Sequence, residues 1–314
     1  MSATLLELDR VRVRYGSFLA VDDVTFTLNG GDLLGMIGPN GAGKTTTLRA
    51  AAGLQPITTG SVKIMGEPIH PERADSRAPL GFTPDTPAVY DALTVAQYLQ
   101  FIGDCYSMDR PLIRERINFW LDQLWLRDKR DAPVKSLSRG MRQRLAVART
   151  LMPDPFVVLL DEPAAGLDPG GRLQFRQLLA SLRDQGKAII VSSHILADLA
   201  EYCTHILIME RGRVLRFGTV ADISGESAAA DTTQYAVTLA ARLGDVENRL
   251  KAFAKIRAVR VDGDKLTIEL PRDRAAVAEA LKDLIMAGLP VAEFRPIQVD
   301  LEQAYLRSGI AQVD

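Results

Sequence analysis

The feature that most constrains this chain is the segment Gly38–Thr45, which reads GPNGAGKT. It follows a short apolar strand predicted at Leu33–Ile37 and precedes a helix predicted to begin near Gly43. Glycines let backbone N–H groups approach phosphate oxygens closely, and the N-terminus of the following helix adds a partial positive charge. The spacing G-x-x-x-x-G-K-T in this strand–loop–helix context therefore predicts a phosphate-binding loop.

The residues of this loop receive individual roles from the chemistry that such loops perform. Lys44 is expected to pair with the β- and γ-phosphates and to assist catalysis, and the Thr45 hydroxyl is expected to hold Mg²⁺. The predicted nucleotide-binding residues are Gly38, Pro39, Asn40, Gly41, Ala42, Gly43, Lys44, Thr45 and Thr46.

A second apolar strand, at residues 156–160, ends in the two carboxylates Asp161 and Glu162. Alone, the pair is compatible with a solvated strand end. In a chain with a phosphate-binding loop, phosphoryl transfer requires one carboxylate near Mg²⁺ and another beside the attacking water. Asp161 is therefore predicted to stabilise Mg²⁺ by contacting the direct ligands of the ion. Glu162 is predicted to be the general base. Together these motifs predict a P-loop ATPase or GTPase without saying which kind.

Four further segments resemble the motifs of ATP-binding cassette (ABC) ATPases, in the order in which that family carries them. Residues 137–149, LSRGMRQRLAVAR, resemble the LSGGQ signature and its helix. Residues 165–168, AGLD, resemble the D-loop, and residues 192–194, SSH, resemble the segment with the switch histidine. Tyr15 matches the aromatic residue on which these proteins stack adenine. The resemblance covers about the first 220 residues.

This resemblance implies roles that the motifs alone do not supply. Tyr15 would stack on the adenine of ATP, and His194, which in isolation is weak evidence for a ligand contact, would touch the γ-phosphate. The signature residues Ser138 and Gly140, together with Asp168 of the D-loop, would bind nucleotide. In this family the signature faces the nucleotide of the other subunit, so two identical chains would enclose two ATP molecules with Mg²⁺.

Two positions depart from the family pattern. Asp85 stands where the family usually has a glutamine, and a carboxylate there can bind Mg²⁺ or position water but adds negative charge beside the phosphates. Arg139 and Met141 replace glycine and glutamine of the signature, so the backbone at Arg139 has less freedom. Similar variants occur in cassette ATPases of bacterial exporters. The departures are therefore expected to change the rate of ATP hydrolysis but not to abolish it.

Alternation of buried strands with helices predicts an α/β fold with a largely parallel sheet. The resemblance makes residues 1–222 a RecA-like P-loop NTPase cassette with an antiparallel β subdomain and an inserted helical subdomain at about 86–151. Residues 223–233 are small and polar, as in a linker. Residues 234–314 show the order β-α-β-β-α-β, with helices at 245–254 and 273–287, which predicts a small ferredoxin-like α+β domain. A closing helix at 299–306 resembles the domain appended to exporter ATPases, with dimerisation, regulation or ligand sensing as open roles.

Composition limits the classes of partner. The chain has 38 basic and 39 acidic side chains among 314 residues, so nothing in its total charge favours nucleic acid. Its two cysteines are far apart, which argues against a zinc site or disulfides and predicts reduced thiols in or near a core. The start of the chain reads as a strand rather than a signal peptide, and apolar runs are strand-sized. We therefore expect a cytoplasmic protein, peripheral on the cytoplasmic face of the cell membrane.

The functional prediction is an ATP-binding and ATP-hydrolysing subunit of an ABC transporter. The expected partners are a second copy of this chain and a transmembrane permease in a separate chain, and resemblance to exporter ATPases favours export. The alternative is a soluble ABC ATPase acting on DNA or ribosomes, although the coiled-coil insertion, zinc cysteines or second cassette of those relatives are not seen in the sequence. Asp85 keeps open a third possibility, a catalytically weak regulator that binds ATP.

Overall fold

The computed structural model describes residues 3–70, 72–73, 75–195, 199–223, 232–243, 246, 249, 257–271 and 273–296. Contacts within the chain define two compact units: the first extends to Val220, and the second begins at Ala221. No helix among these described residues is long and apolar enough to span a membrane.

An antiparallel sheet opens the first unit. Its strands are β1 (Thr4–Tyr15), β2 (Phe18–Asn29), β4 (Thr59–Ile64) and β5 (Glu67–Pro68), in the order β2-β1-β4-β5. Buried Leu8 of β1 is paired with buried Phe26 of β2, so the alternating apolar residues form the inner face of the sheet. The tight turn between β1 and β2 contains Gly16 with φ of 58°. The hairpin pairing of β1 with β2 continues to the pair Tyr15 and Phe18, directly beside the turn.

The central sheet has the order β10-β9-β3-β8-β7-β6. Its strands are β3 (Leu33–Ile37), β6 (Leu80–Thr83), β7 (Val157–Leu160), β8 (Ala188–Ser193), β9 (His205–Glu210) and β10 (Arg213–Thr219). The first five are mutually parallel, and β10 is antiparallel to β9. Every residue of β3 and β7 is buried, as expected for parallel strands covered on both faces. The carboxyl ends of β3, β8, β7 and β6 therefore meet at one edge of the sheet.

Strand β10 was not predicted from the sequence. It lies at the edge of the sheet, and most of its residues are exposed, so it lacks the apolar signature of its neighbours.

Among the described residues, the first unit contains the helices α1 (Lys44–Ala51), α2 (Val95–Cys105), α3 (Arg110–Gln123), α4 (Arg139–Leu151) and α5 (Pro169–Asp184). The short α6 (Val220–Ile223) spans the division between the two units. Helices α2, α3 and α4 occupy the predicted helical insertion. Helix α2 begins at a reciprocal cap in which Thr94 and Gln97 each accept the other's backbone N–H. Tyr98 and Leu99 of α2 are buried.

The second unit contains β11 (Thr232–Leu239), β12 (Arg257–Asp262), β13 (Lys265–Pro271), α7 (Arg274–Met286) and β14 (Val291–Pro296). The strands form an antiparallel sheet in the order β12-β13-β11-β14. Val237 and Ile268 of the sheet and Leu284 of α7 belong to one buried core. Three predicted segments lie wholly or mostly outside the described residues: the helix at 299–306, the helix at 245–254 and the linker at 223–233. The ferredoxin-like assignment and the domain boundaries therefore stay predictions.

The two cysteines differ. Cys203 is buried, and burial raises the pKa of its thiol, whereas Cys105 is exposed at the end of α2. Both thiols are free. The expectation that both cysteines lie in or near a core is wrong for Cys105, because α2 ends there at the surface.

Candidate nucleotide-binding and catalytic site

The loop between β3 and α1 needs glycine at specific positions. A Cβ atom at Gly38 would lie 2.3 Å from the carbonyl oxygen of Met209 on β9. Gly43 has φ of 100°, and a Cβ atom there would lie 2.7 Å from the carbonyl oxygen of Ala20. Gly41 also has a left-handed backbone, with φ of 80°. The predicted phosphate loop is thus held by close backbone approaches that only glycine permits.

Lys44 is the first residue of α1, and its side chain turns back into the loop. Its Nζ donates to the carbonyl oxygens of Gly38 at 2.6 Å and Pro39 at 3.2 Å. Burial lowers the pKa of Lys44, and the negative charges of Glu162 and Asp161 partly oppose this shift. The ammonium group therefore lies within the electrostatic reach of the predicted base Glu162 and of the predicted Mg²⁺ group Asp161.

The two threonines that follow Lys44 occupy the first turn of α1. Thr45 is exposed and Thr46 is half-buried. The backbone N–H groups in the first turn of a helix have no partner within the helix. This end of α1 therefore combines an accessible hydroxyl with N–H donors suited to phosphate oxygens.

Asp161 follows directly after β7 and is 1% exposed. Its backbone N–H donates to the carbonyl oxygen of Thr83 on β6 at 2.9 Å. Its Oδ1 accepts a hydrogen bond from Ser192 Oγ at 2.6 Å, whereas its Oδ2 is buried without a hydrogen-bond partner. A buried carboxylate oxygen without a partner costs free energy, so its retention points to a ligand that would satisfy it.

This oxygen tests whether the site fits Mg²⁺. Mg²⁺ prefers oxygen ligands and usually keeps several waters, with one or two protein groups and substrate phosphates completing its shell. Asp161 Oδ2 and the accessible Thr45 hydroxyl match that preference. The described residues contain no group of three or more histidine, cysteine or acidic side chains able to hold a metal by themselves. The donor set therefore fits an ion that is bound together with a nucleotide.

Glu162 adopts a left-handed backbone with φ of 47°, which is uncommon for a residue with a side chain. Its Oε2 lies 3.1 Å from His194 Nδ1, so the structure brings together two of the predicted catalytic residues. The Glu162 side chain is 21% exposed and that of His194 is 64% exposed. The carboxylate is thus partly screened from solvent, while the imidazole remains accessible to a ligand.

Sequence reasoning missed the role of Ser192. The residue was noted only as part of the segment before His194, yet its Oγ both donates to Asp161 and accepts the backbone N–H of Glu162 at 2.9 Å. A hydroxyl at the end of a strand next to the one carrying the two carboxylates is the signal that could have identified it. That signal requires the strand order, in which β8 lies between β3 and β7.

The signature residues cap and pack a helix in this structure. Ser138 is the N-cap of α4, and its Oγ accepts the backbone N–H of Met141 at 3.3 Å. Gly140 is buried, and a Cβ atom there would lie 2.8 Å from the carbonyl oxygen of Gly166 in the segment that resembles a D-loop. Two motifs recognised separately in the sequence are therefore in direct backbone contact.

Asp168 is the N-cap of α5, where its Oδ1 accepts the backbone N–H of Gly171 at 3.0 Å. Among the described residues, no hydrogen bond joins Ser138 or Asp168 to the 38–46 loop of the same chain. Tyr15 ends β1 and is 45% exposed, and its hydroxyl donates to Gln55 Oε1 at 2.9 Å. An exposed ring in a fixed position suits stacking on a purine.

Asp85 lies two residues beyond β6 and is exposed. It lines a cavity together with Thr86, Pro87, Arg139, Arg142 and Gln143. The two departures from the family motifs, Asp85 and Arg139, thus border the same space.

A glycine-rich loop with its lysine, beside two carboxylates at the carboxyl edge of a parallel sheet, defines the class of P-loop nucleotide hydrolases. Comparison with known proteins narrows this class. The sequence profile of the ABC transporter family matches residues 21–165.

Individual relatives match this chain over more residues than the family profile does. The chain is 33% identical over 304 residues to the uncharacterized ABC transporter ATP-binding protein YhcH of Bacillus subtilis, covering 96% of this chain and 95% of YhcH. It is 36% identical over 217 residues to the Nod factor export ATP-binding protein I of Ralstonia nicotianae, covering 69% and 68% of the two chains.

A solved structure agrees with these matches. CbiO1 of Clostridium perfringens, described as part of the ABC transporter complex cbiONQ, superposes with a TM-score of 0.64 at 26% identity over 72% of this chain and 93% of that one. The chain therefore belongs to the family of ABC transporter ATP-binding proteins. It is the ATPase subunit of an ABC transporter, as the sequence predicted.

Proposed function

We propose that two copies of this ATPase subunit close around two ATP molecules, and that closing and reopening drive a separate transmembrane permease. Each nucleotide would lie against the 38–46 loop and Tyr15 of one chain. Ser138, Gly140 and Asp168 of the second chain would cover its γ-phosphate. The lack of a hydrogen bond from Ser138 or Asp168 to the loop of their own chain supports this arrangement.

The observation that carries hydrolysis is the contact between Glu162 and His194 beside the buried Asp161. Glu162 accepts a proton from the attacking water. In the tautomer with hydrogen on Nδ1, His194 donates to the Glu162 carboxylate and keeps it in position as a charged base. Lys44 exchanges the carbonyl oxygens of Gly38 and Pro39 for phosphate oxygens when ATP binds.

Thr45 and Asp161 would hold Mg²⁺, with Asp85 as a further candidate. When bound, this ion would neutralise negative charge on the phosphate groups. The chain's own contribution is to present the Thr45 hydroxyl at the helix terminus and to leave Asp161 Oδ2 without a competing donor.

Export is the transport direction that we propose, because the relative from Ralstonia nicotianae is named for export. A membrane permease partner also implies that this subunit acts at the cytoplasmic face of a membrane. The transported substrate would contact the permease rather than this chain.

An affinity pull-down tests the proposal. Glu162→Gln protein, loaded with ATP and Mg²⁺, is incubated with gently solubilised native membranes, and co-purified proteins are identified by mass spectrometry. We expect one multi-span membrane protein in near-equal amount, and much less of it with Lys44→Ala, which cannot hold the phosphates. Recovery of only ribosomal or DNA-bound proteins would overturn the proposed permease partner.

A further inference from the structure

The hydroxyl of Ser192 forms hydrogen bonds to both residues of the carboxylate pair. We propose that Ser192 is a positioning residue for Asp161 and Glu162. Its hydroxyl selects the Asp161 oxygen that is available to Mg²⁺, and it fixes the backbone from which the Glu162 side chain projects. The proposal rests on the proposed roles of these two carboxylates.

The position of Ser192 in the sheet is fixed on both sides. Strand β8 lies between β3 and β7, with Ser192 paired with Met36 of β3 and the preceding Val191 paired with Leu160 of β7. Ser192 is fully buried, with 0% exposure. Water therefore does not reach the hydroxyl to replace either of its partners.

The donor and acceptor roles at Ser192 follow from chemistry. A backbone N–H can only donate, so Ser192 Oγ accepts from Glu162 N at 2.9 Å. The single hydroxyl hydrogen is then directed to Asp161 Oδ1 at 2.6 Å, a length typical of a hydrogen bond to a charged carboxylate. Both bonds together fix the rotation of the hydroxyl.

The first consequence concerns Asp161. Because Ser192 occupies Oδ1, the carboxylate cannot rotate freely, and Oδ2 is the oxygen left buried without a partner. Loss of a group that orients a metal-binding carboxylate typically lowers metal affinity or activity by about 10- to 100-fold. Without the hydroxyl, either oxygen could turn toward the ion and the carboxylate would lose its fixed direction.

The second consequence concerns Glu162. Its left-handed backbone, φ 47°, is disfavoured for a residue with a side chain and persists only where the surroundings fix it. Two consecutive N–H groups are held here: that of Asp161 by the carbonyl of Thr83 and that of Glu162 by Ser192. The serine is thus one of two anchors that hold the turn carrying the proposed base.

The neighbouring Ser193 supplies a matched control. It is half-buried, and its Oγ accepts the backbone N–H of Ile195 at 3.0 Å. Removing its hydroxyl makes a change of the same size, one residue away, without touching the hydrogen bonds of either carboxylate.

The experiment compares the full-length Ser192→Ala and Ser193→Ala proteins by the binding of a fluorescent ATP analogue, first in EDTA and then across a Mg²⁺ titration. For Ser192→Ala we expect unchanged affinity in EDTA, and a Mg²⁺ concentration for half-maximal effect raised about tenfold or more, the range typical for residues behind metal ligands. We expect kcat to fall by a similar factor, whereas the Mg²⁺ concentration for half-maximal effect in Ser193→Ala should equal that of the parent protein.

Two results would overturn the inference. One is a Ser192→Ala protein with the parent's Mg²⁺ response and kcat. The other is an equal loss of nucleotide affinity with and without Mg²⁺, which would indicate a general packing defect. If Ser192→Ala does not fold, Ser192→Cys keeps a similar volume with a weaker donor, and a native Mg²⁺ response in that variant would count against the proposal.

The same titration in a Glu162→Gln background separates this inference from the proposed function. In the Glu162→Gln background, the rate of ATP hydrolysis measures the loss of the base. The Mg²⁺-dependent binding of the ATP analogue measures the effect of Ser192. A Glu162→Gln protein that still hydrolyses ATP would refute the base. It would leave the measured effect of Ser192 on the Mg²⁺ response as a separate result.

Discussion

Asp85 and Arg139 line the same cavity, although 53 residues separate them in the chain and each replaces the usual residue of a family motif. The Asp85 carboxylate, which is expected to add negative charge near the phosphates, therefore borders the same space as the Arg139 guanidinium group. Opposite charges at one cavity can compensate each other, which gives the two departures a common explanation.

The first prediction follows from this relationship. Asp85→Gln and Arg139→Gly each restore the usual family residue, and we expect each alone to change kcat more than the double variant does. A double-mutant cycle compares the ATPase activity of the parent protein, the two single variants and the double variant. It should give a coupling energy above about 0.5 kcal/mol, the size found for interacting residues. Additive effects would show that the positions act independently. A raised Mg²⁺ requirement in Asp85→Gln, unaffected by residue 139, would instead favour Asp85 as a Mg²⁺ group.

The second prediction concerns Glu162. Glu162→Gln should lower kcat by a factor on the order of 10² to 10⁴, because the amide cannot accept the proton of the attacking water. ATP binding should persist, so the variant should form a stable dimer with ATP, detected by light scattering. Turnover at the parent rate would show that another group is the base.

The third prediction concerns adenine binding at Tyr15. Tyr15→Ala should weaken ATP affinity by about 1 to 3 kcal/mol, the value of one aromatic–base stack, while kcat at saturating ATP changes little. Tyr15→Phe is the matched control, because it keeps the ring and removes only the hydrogen bond to Gln55. Equal affinities for the alanine variant and the parent protein, measured by calorimetry, would exclude a stacking role.

The fourth prediction tests the contact between the signature and the D-loop. In Gly140→Ala the new methyl group would lie 2.8 Å from the Gly166 carbonyl oxygen, so one of the two segments must shift. Such overpacking typically costs about 1 to 3 kcal/mol of unfolding free energy, and we expect a loss of ATPase activity with it.

Gly170→Ala is the control for that variant. A Cβ atom at Gly170 would meet its nearest atom, Asp168 Oδ2, at an ordinary 3.9 Å. We expect a stability within about 0.5 kcal/mol of the parent protein, as for substitutions without a named mechanism. Urea denaturation of both variants measures the difference. Equal stabilities would show that the Gly140–Gly166 approach relaxes freely.

The fifth prediction concerns pH. Asp154 is contacted by Lys187 Nζ at 2.6 Å and Arg116 Nη2 at 3.2 Å. Burial would raise the pKa of Asp154, but these two cations outweigh it and lower the pKa below its usual value. The carboxylate therefore stabilises the fold above its unfolded pKa, near 3.9, and this contribution is lost as pH falls through the lower folded pKa.

Asp154→Asn measures that contribution, since asparagine tolerates the left-handed backbone found there, φ 60°. The difference in unfolding free energy between parent and variant should be largest above about pH 5 and shrink toward pH 3. Asp184→Asn, which removes an exposed carboxylate paired with Arg183 at 2.8 Å, should show little difference at any pH. A pH-independent difference for Asp154→Asn would contradict the ion-pair explanation.

The parts that the sequence predicts well are those whose signal lies in adjacent residues. The phosphate loop combines a buried strand, spaced glycines and a helix start, and β7 ends in adjacent carboxylates. The contact of Gly140 with Gly166 and the shared cavity of Asp85 and Arg139 join segments that are distant in the chain. Ser192 carries no local signal either, because its role arises from the position of β8 beside β7.

Lys44 donates hydrogen bonds to two carbonyl oxygens of its own loop, those of Gly38 and Pro39. The loop is therefore preorganised by an internal cation, and much of the entropy of ordering it is lost during folding rather than on ligand association. In the proposed binding mode, ATP replaces the two carbonyl partners of Lys44 and the backbone of the loop keeps its shape. Nucleotide binding by this subunit should accordingly be fast, and larger rearrangements are expected only in the proposed closing of two chains around ATP.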